Sequence, residues 1–194
     1  MTASDALVQP IMLPPNAKTF PLSAGVTAAA SASARALEAS DRTDPAWEHW
    51  LGGRFTKSVR VAKSHADFAL AIASCAYAVE EQGVRAAAFA PLTYAEMPRW
   101  MSRARVEGLH CADDLPEHPG SSEWSVGVIG NMSAGKMAAQ VAHALCAIVL
   151  EVGNLPTFDV YRAPASASGQ IEIVDAGLTE FDGVPTRTVV ASPR

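Results

Sequence analysis

The sequence predicts an α/β protein made of two related small units, each a mixed β-sheet flanked by helices. Three observations carry this. The stretch 124–152 reads as a strand, a glycine-bearing turn and a long helix. Shorter strand and helix patterns alternate through the rest of the chain. Two helix starts also match: Leu22-Ser23-Ala24-Gly25-Val26-Thr27-Ala28-Ala29-Ala30 lies on Met132-Ser133-Ala134-Gly135-Lys136-Met137-Ala138-Ala139-Gln140, each after a short strand. In that register Val26, Ala30 and Ser33 stand where Lys136, Gln140 and His143 stand. A further match, Phe89 on Asp175 and Thr93 on Thr179, extends the repeat. The boundary falls in the polar, turn-rich segment 107–122, giving units 1–118 and 119–194.

In chain order, 7–13 is a short apolar strand, and Pro10 suggests a sheet edge. Residues 24–39 form a small-residue helix that packs closely. Residues 58–63 alternate Val59 and Val61 with Arg60 and Lys63, which predicts a half-exposed strand with a cationic face. Residues 66–82 read as an amphipathic helix stopped by Gly83, 84–90 as a strand, and 91–105 as a helical turn or short helix. In the second unit, 124–129 is a strand and Ser133 the N-cap of the helix that follows. At 100° per residue, Lys136, Gln140 and His143 fall within roughly 60° of one another, opposite an apolar stripe of Met137, Val141, Ala144, Leu145 and Ile148. Strands at 158–163, 171–174 and 186–191 complete the sheet; the segment 163–169 is too small and polar for a core helix.

The chain has 194 residues, 49% hydrophobic content and a formal net charge of -5, which does not suggest a general nucleic-acid binder. The charge is uneven: residues 54–105 carry a net +4 and the remainder -9, so a local basic patch is available for a polyanion. Cys75, Cys111 and Cys146 are odd in number and lack paired spacing, which predicts free thiols in a reducing, cytoplasmic setting. The first residues lack a secretory pattern, and no apolar run approaches ~20 residues, so no membrane partner is expected.

Several motifs compete for the chemistry. Gly130 to Lys136 has the spacing of a phosphate-cradling P-loop, but Met137 stands where a magnesium-binding hydroxyl belongs, which leaves nucleotide binding a minor alternative. His110, Cys111, Asp113, Asp114 and His118 are metal-capable types without a closed ligand spacing, so no metal or other cofactor is expected. No GxSxG is present, and Ser133 has no assigned base. Asp175 ends an apolar strand, where open α/β sheets place ligands, and Thr179 follows closely.

Two segments together carry a resemblance. Met132-Ser133-Ala134-Gly135-Lys136-Met137-Ala138-Ala139-Gln140-Val141-Ala142-His143-Ala144 resembles the GKxAAQxxHA signature of type 2 (archaeal and eukaryotic-type) peptidyl-tRNA hydrolases. Val174-Asp175-Ala176-Gly177-Leu178-Thr179, then Thr186-Arg187-Thr188-Val189-Val190-Ala191, resembles that family's DAGxTxI…GTxTVLA ending. The first unit is similar more weakly, through Trp47, Gly53, Arg54, Lys57 and Arg60. The resemblance implies a small α/β unit that hydrolyses the ester between a peptide and the tRNA 3′ ribose without a metal. It implies catalytic roles for Lys136, Gln140, Asp175 and Thr179, with His143 and Thr186 toward the substrate; Ser133, the N-cap beside this stripe, is added from the residues themselves, and the basic stretch offers Arg54, Lys57, Arg60 and Lys63 for phosphate contacts. The chain departs from the pattern in a longer loop before Thr186 and in a Trp/Gly/Lys segment that precedes the signature helix. A catalytically inactive RNA-binding or protein-interaction module of the same fold is the alternative. The expected partners are peptidyl-tRNA or another RNA, and the expected assembly is a homodimer or an intramolecular pairing of the two units.

Overall fold

The computed structural model describes residues 6–106, 109, 114–176 and 181–194. It is mixed α/β, with two mixed sheets flanked by helices. The first unit contains β1 (Leu7–Leu13), α1 (Leu22–Glu38), α2 (Pro45–Gly52), β2 (Thr56–Val61), α3 (His65–Ser74), β3 (Tyr77–Glu81), β4 (Val84–Ala88), β5 (Leu92–Thr93) and α4 (Arg99–Ser102). The second contains β6 (Trp124–Ile129), α5 (Ala134–Val152), β7 (Phe158–Ala163), β8 (Ile171–Asp175) and β9 (Thr186–Pro193).

The two sheets share one plan. The order is β2-β1-β4-β3 in the first and β7-β6-β9-β8 in the second. In each, the strand before the long helix pairs parallel with one neighbour and antiparallel with the other. That topology corrects one part of the repeat drawn from the sequence. The counterpart of Asp175, at the end of β8, is the end of β3 at Glu81, not Phe89. Phe89 lies beyond β4, and its N–H donates to the Pro10 carbonyl.

Pro10 sits in a central strand rather than an edge. On its antiparallel side β1 pairs β5 through Leu7 and Val8, then switches to β4 at Ile11 and Met12. Pro10 falls at the switch, where a missing donor is tolerated. The helix expected over 66–82 stops at Ser74, capped by the Ser64 hydroxyl, which accepts from the Asp67 N–H. Residues 77–81 instead form β3, and Gln82 (φ 51°) and Gly83 (φ 80°) make the two-residue turn into β4. Both central residues have positive φ, the geometry that matches strand twist in a tight hairpin.

α1 and α5 pack on each other, the most extensive contact between elements among the described residues. Both are rich in small buried residues: Ala28, Ala29, Ala32 and Ala36 in α1, Ala138, Ala142 and Ala144 in α5. Small side chains let two helices approach closely, and the apolar core runs from one sheet through both helices to the other. α5 has the length and composition of a membrane span, contrary to the sequence expectation, and 67% of that window is buried within the molecule. A second core under α3 and α4, with Met12, Phe68, Phe89 and Met101, covers the outer face of the first sheet. The second sheet has no such layer among the described residues; only Ile129, Ala163 and Val190 form a small buried cluster.

The cationic face expected on β2 is not a surface. Lys57 and Arg60 are both buried. Lys57 shares its strand face with Val59 and Val61, toward α5, while Arg60 lies on the other face beneath α4. Alternation of residue types along a strand cannot tell that its polar side will also be covered. The described chain begins at residue 6, so the expectation for the first residues lies outside it, as do residues 107, 108 and 110–113, Cys111 among them; Cys75 and Cys146 are free thiols.

Candidate active site

The site begins with the cap of α5. Ser133 adopts an extended conformation, and its hydroxyl accepts from the Lys136 N–H at 3.3 Å, so the helix starts where the sequence places it. Gly130, with φ 70°, turns the chain from β6 into this cap. One helical turn later the chain presents Gln140, and His143 after it.

Opposite α5 lies the tip of β8. Asp175 Oδ2 receives two donors: Lys136 Nζ at 2.7 Å and Gln140 Nε2 at 2.6 Å. The Lys136 and Asp175 side chains are 17% and 11% exposed, so the pair is largely shielded yet still reached by solvent. Gln140 is buried, and its Oε1 accepts from the Thr188 hydroxyl at 3.2 Å. The same hydroxyl also lies 3.2 Å from the Ile173 carbonyl. Both ends of the Gln140 amide are therefore held, which fixes which end is oxygen.

Thr188 reaches this network through an irregularity. The β8–β9 register shifts between Ile173 and Val174, so that Val174 pairs with Arg187 and Ile173 with Val189. Thr188 is the extra residue on β9. Bulges of this kind re-aim side chains. Thr188 was missed in the sequence because only its strand, not its register, could be read there. Thr186 pairs with Asp175 in the register, but its hydroxyl donates to the Val184 carbonyl at 2.9 Å instead. Thr179 lies outside the described residues.

His143 faces the first unit. Its ring meets Phe55 edge-on, with centroids 5.3 Å apart. Burial, then the Lys57 and Lys136 charges, hold its pKa well below the ordinary imidazole value, so it is neutral at pH 7. Phe55 in turn tilts against Trp50 at 4.3 Å. Lys57 Nζ lies 3.6 Å from the centre of the Phe55 ring and 4.3 Å from that of Trp50. Among the described residues it has no hydrogen-bond partner. Burial lowers its pKa to about 8, against a smaller raising effect from Cys146. Lys57 and Arg60 thus do not reach a substrate phosphate from the surface. Arg60 instead points its guanidinium at the Met101 and Ser102 carbonyls, 3.4 Å away, and is buried under α4. Arg54 is exposed, two residues before β2.

The structure therefore gathers Lys136, Gln140 and Asp175, adds Thr188, and sets Ser133 one turn before them and His143 one turn after. No cluster of metal-capable residues occurs among the described residues, and His110, Cys111 and Asp113 of the sequence motif lie outside them. Met137, at the position where a P-loop needs a hydroxyl, is buried in the core.

The corresponding face of the first unit is closed. Val26 and Ala30, in the positions of Lys136 and Gln140, are fully buried. Val106 and Leu109 lie close to the two helix starts. A Cβ on Gly25 would meet Leu109 at 3.5 Å, and one on Gly135 would meet the Val106 carbonyl at 3.3 Å. Comparison of the chain with protein-family models, with curated proteins and with solved structures gave no match in any of the three.

Proposed function

We propose that the second unit hydrolyses the ester joining a peptide to the 3′ ribose of tRNA, on a type 2 peptidyl-tRNA hydrolase-like fold and without a metal. The observation that carries the reading is the shared hold on Asp175 Oδ2 by Lys136 and Gln140, in the motif positions that prompted the resemblance. Ester hydrolysis needs a water oxygen delivered to the carbonyl carbon and charge to balance the oxyanion that forms. Asp175 takes the proton from that water. Lys136 offers positive charge within reach of the same point. Gln140, engaged at both ends by Asp175 and Thr188, is a positioning residue for the carboxylate rather than a donor to the scissile carbonyl. Thr179, which follows Asp175 by four residues, is assigned to the water by the resemblance alone. His143, neutral and packed against Phe55, lies within reach of the Lys136 charge and is assigned a structural role beside the site. The proposed setting is cytoplasmic.

The test is release of peptide from purified peptidyl-tRNA. Asp175→Asn and Lys136→Met are each expected to lower kcat by about 10²–10³, the loss typical of one oriented polar group. Thermal melting of each variant separates lost chemistry from lost fold. No release by the unaltered chain would end the enzyme reading. The alternative, an RNA-binding module of the same fold without turnover, is supported if tRNA binds and Asp175→Asn leaves binding unchanged.

A further inference from the structure

The first unit was expected to contribute cations through β2, yet Lys57 and Arg60 are buried. The exposed cations lie elsewhere, and the fold collects them. Arg105 pairs with the last residue of β2: the Val61 N–H donates to the Arg105 carbonyl at 2.8 Å and the Arg105 N–H to the Val61 carbonyl at 3.0 Å. Lys63 follows β2 by two residues and is exposed. Arg103 Nη2 reaches Asp67 Oδ1, in the first turn of α3, at 2.6 Å. Arg99 opens α4, whose carbonyls sit over the buried Arg60. Arg99, Arg103 and Arg105 are all exposed, and the one carboxylate of α3, Asp67, is taken by Arg103. The carboxylate of Glu96, nearby in sequence, is bonded to Thr93.

This platform adjoins the helix start that carries Lys136. Val106, next to Arg105, touches Gly135 in the first turn of α5, and Lys136 is the following residue. We propose that the surface formed by Lys63, Arg99, Arg103 and Arg105 seats the phosphate backbone of the RNA whose 3′ end enters the Lys136–Asp175 cleft. The proposal rests on the hydrolase reading of that cleft. The charges match: beside the Arg103–Asp67 pair, the exposed Lys63, Arg99 and Arg105 leave the surface net positive, which suits a polyanion. The first unit, whose own cleft is filled by Val26 and Ala30, then acts as the grip for a substrate cut by the second.

The experiment uses the full chain and the variant K63E/R99E/R105E, which leaves the Arg103–Asp67 pair intact. Binding of deacylated tRNA is measured across a salt series. Turnover is measured on peptidyl-tRNA and on a peptidyl ester of adenosine alone. The expected result is at least about a tenfold loss of tRNA affinity at low salt and a log–log salt slope shallower by about 2 to 3, since each neutralised phosphate contributes about -0.7 to -0.9. KM for peptidyl-tRNA rises while turnover of the adenosine ester is unchanged. The neutral variant K63Q/R99Q/R105Q is expected to fall between, which keeps the test sound if charge reversal disturbs folding. Equal tRNA affinity in unaltered and altered chains, or affinity insensitive to salt, overturns the proposal. Competition by polyglutamate as effective as by tRNA overturns RNA as the occupant. Failure of the unaltered chain to cleave either ester is read separately, and ends the hydrolase reading while the binding series decides the surface.

Discussion

Lys57 is held as a cation in a site that disfavours charge. Its pKa falls from 10.5 to about 8, and at about 1.4 kcal/mol per unit this burial costs on the order of 3 kcal/mol at pH 7. Removing the charge should relieve that cost. Lys57→Met is expected to raise the unfolding free energy at pH 7 by about 1–4 kcal/mol, measured by urea denaturation. The sign of the pH dependence follows. Between pH 8 and 10.5 the unfolded chain binds the Lys57 proton more than the folded chain does, so the native protein gains stability as pH rises through that window. The variant lacks this gain, and its advantage should vanish above the window. His143 gives the opposite end of the scale. Its lowered pKa means that, below the ordinary value of 6.5, the unfolded state takes up a proton that the folded state refuses. Stability should therefore fall on acidification, and His143→Phe should flatten the denaturation midpoint between about pH 7 and pH 5. At this scale the sequence was a partial guide. Lys136 and Asp175 were found from their motifs, because a helix stripe and a strand tip are local features. The burial of Lys57 was not, because it depends on α5, more than 70 residues away in the chain.

Among the elements, α5 and the β3–β4 hairpin show what local chemistry decides. The Ser133 cap is legible in the sequence, and Ser133→Ala is expected to cost about 1 kcal/mol of stability, read from the thermal midpoint. Any larger fall in peptide release would report a displaced Lys136, since the cap bonds to the backbone of that residue. In the hairpin, Gly83 was read as a helix stop and is in fact the second turn residue. Both readings need positive φ, so glycine alone could not distinguish them. What decided was the run 77–81, too short and too exposed to announce itself as a strand by hydrophobic alternation. Gly83→Ala is expected to destabilise by roughly 1–2 kcal/mol, the cost of a left-handed conformation for a residue with a Cβ. The bulge at Thr188 had no sequence signal at all, because register is a property of two strands. Thr188→Val should lower kcat and leave tRNA affinity unchanged, as the Gln140 amide loses the partner that fixes it.

For the molecule as a whole, the two units are joined through α1 and α5 rather than merely tethered. α5 presents Lys136 and Gln140 to β8, His143 to Phe55 of the first unit, and its small-residue face to α1. Expressed alone, residues 119–194 should therefore expose that face and remain insoluble or molten, and co-expression with residues 1–118 should restore a cooperative melt. The repeat in the sequence indicated the equivalence of the two helix starts, at Gly25 and Gly135. Identity of the two helix faces could be inferred; their mutual contact could not, as nothing in either helix specifies its distant partner.

That shared helix contact lies within a single polypeptide. Two separate copies of a small unit would part on dilution, and their joint surface with them. Here the short segment from Arg105 to Trp124 sets a high local concentration of one unit around the other, so the pairing survives at any protein level the cell maintains. Each unit is thereby released from having to suit an identical twin, which leaves one to keep the cleft and the other to change.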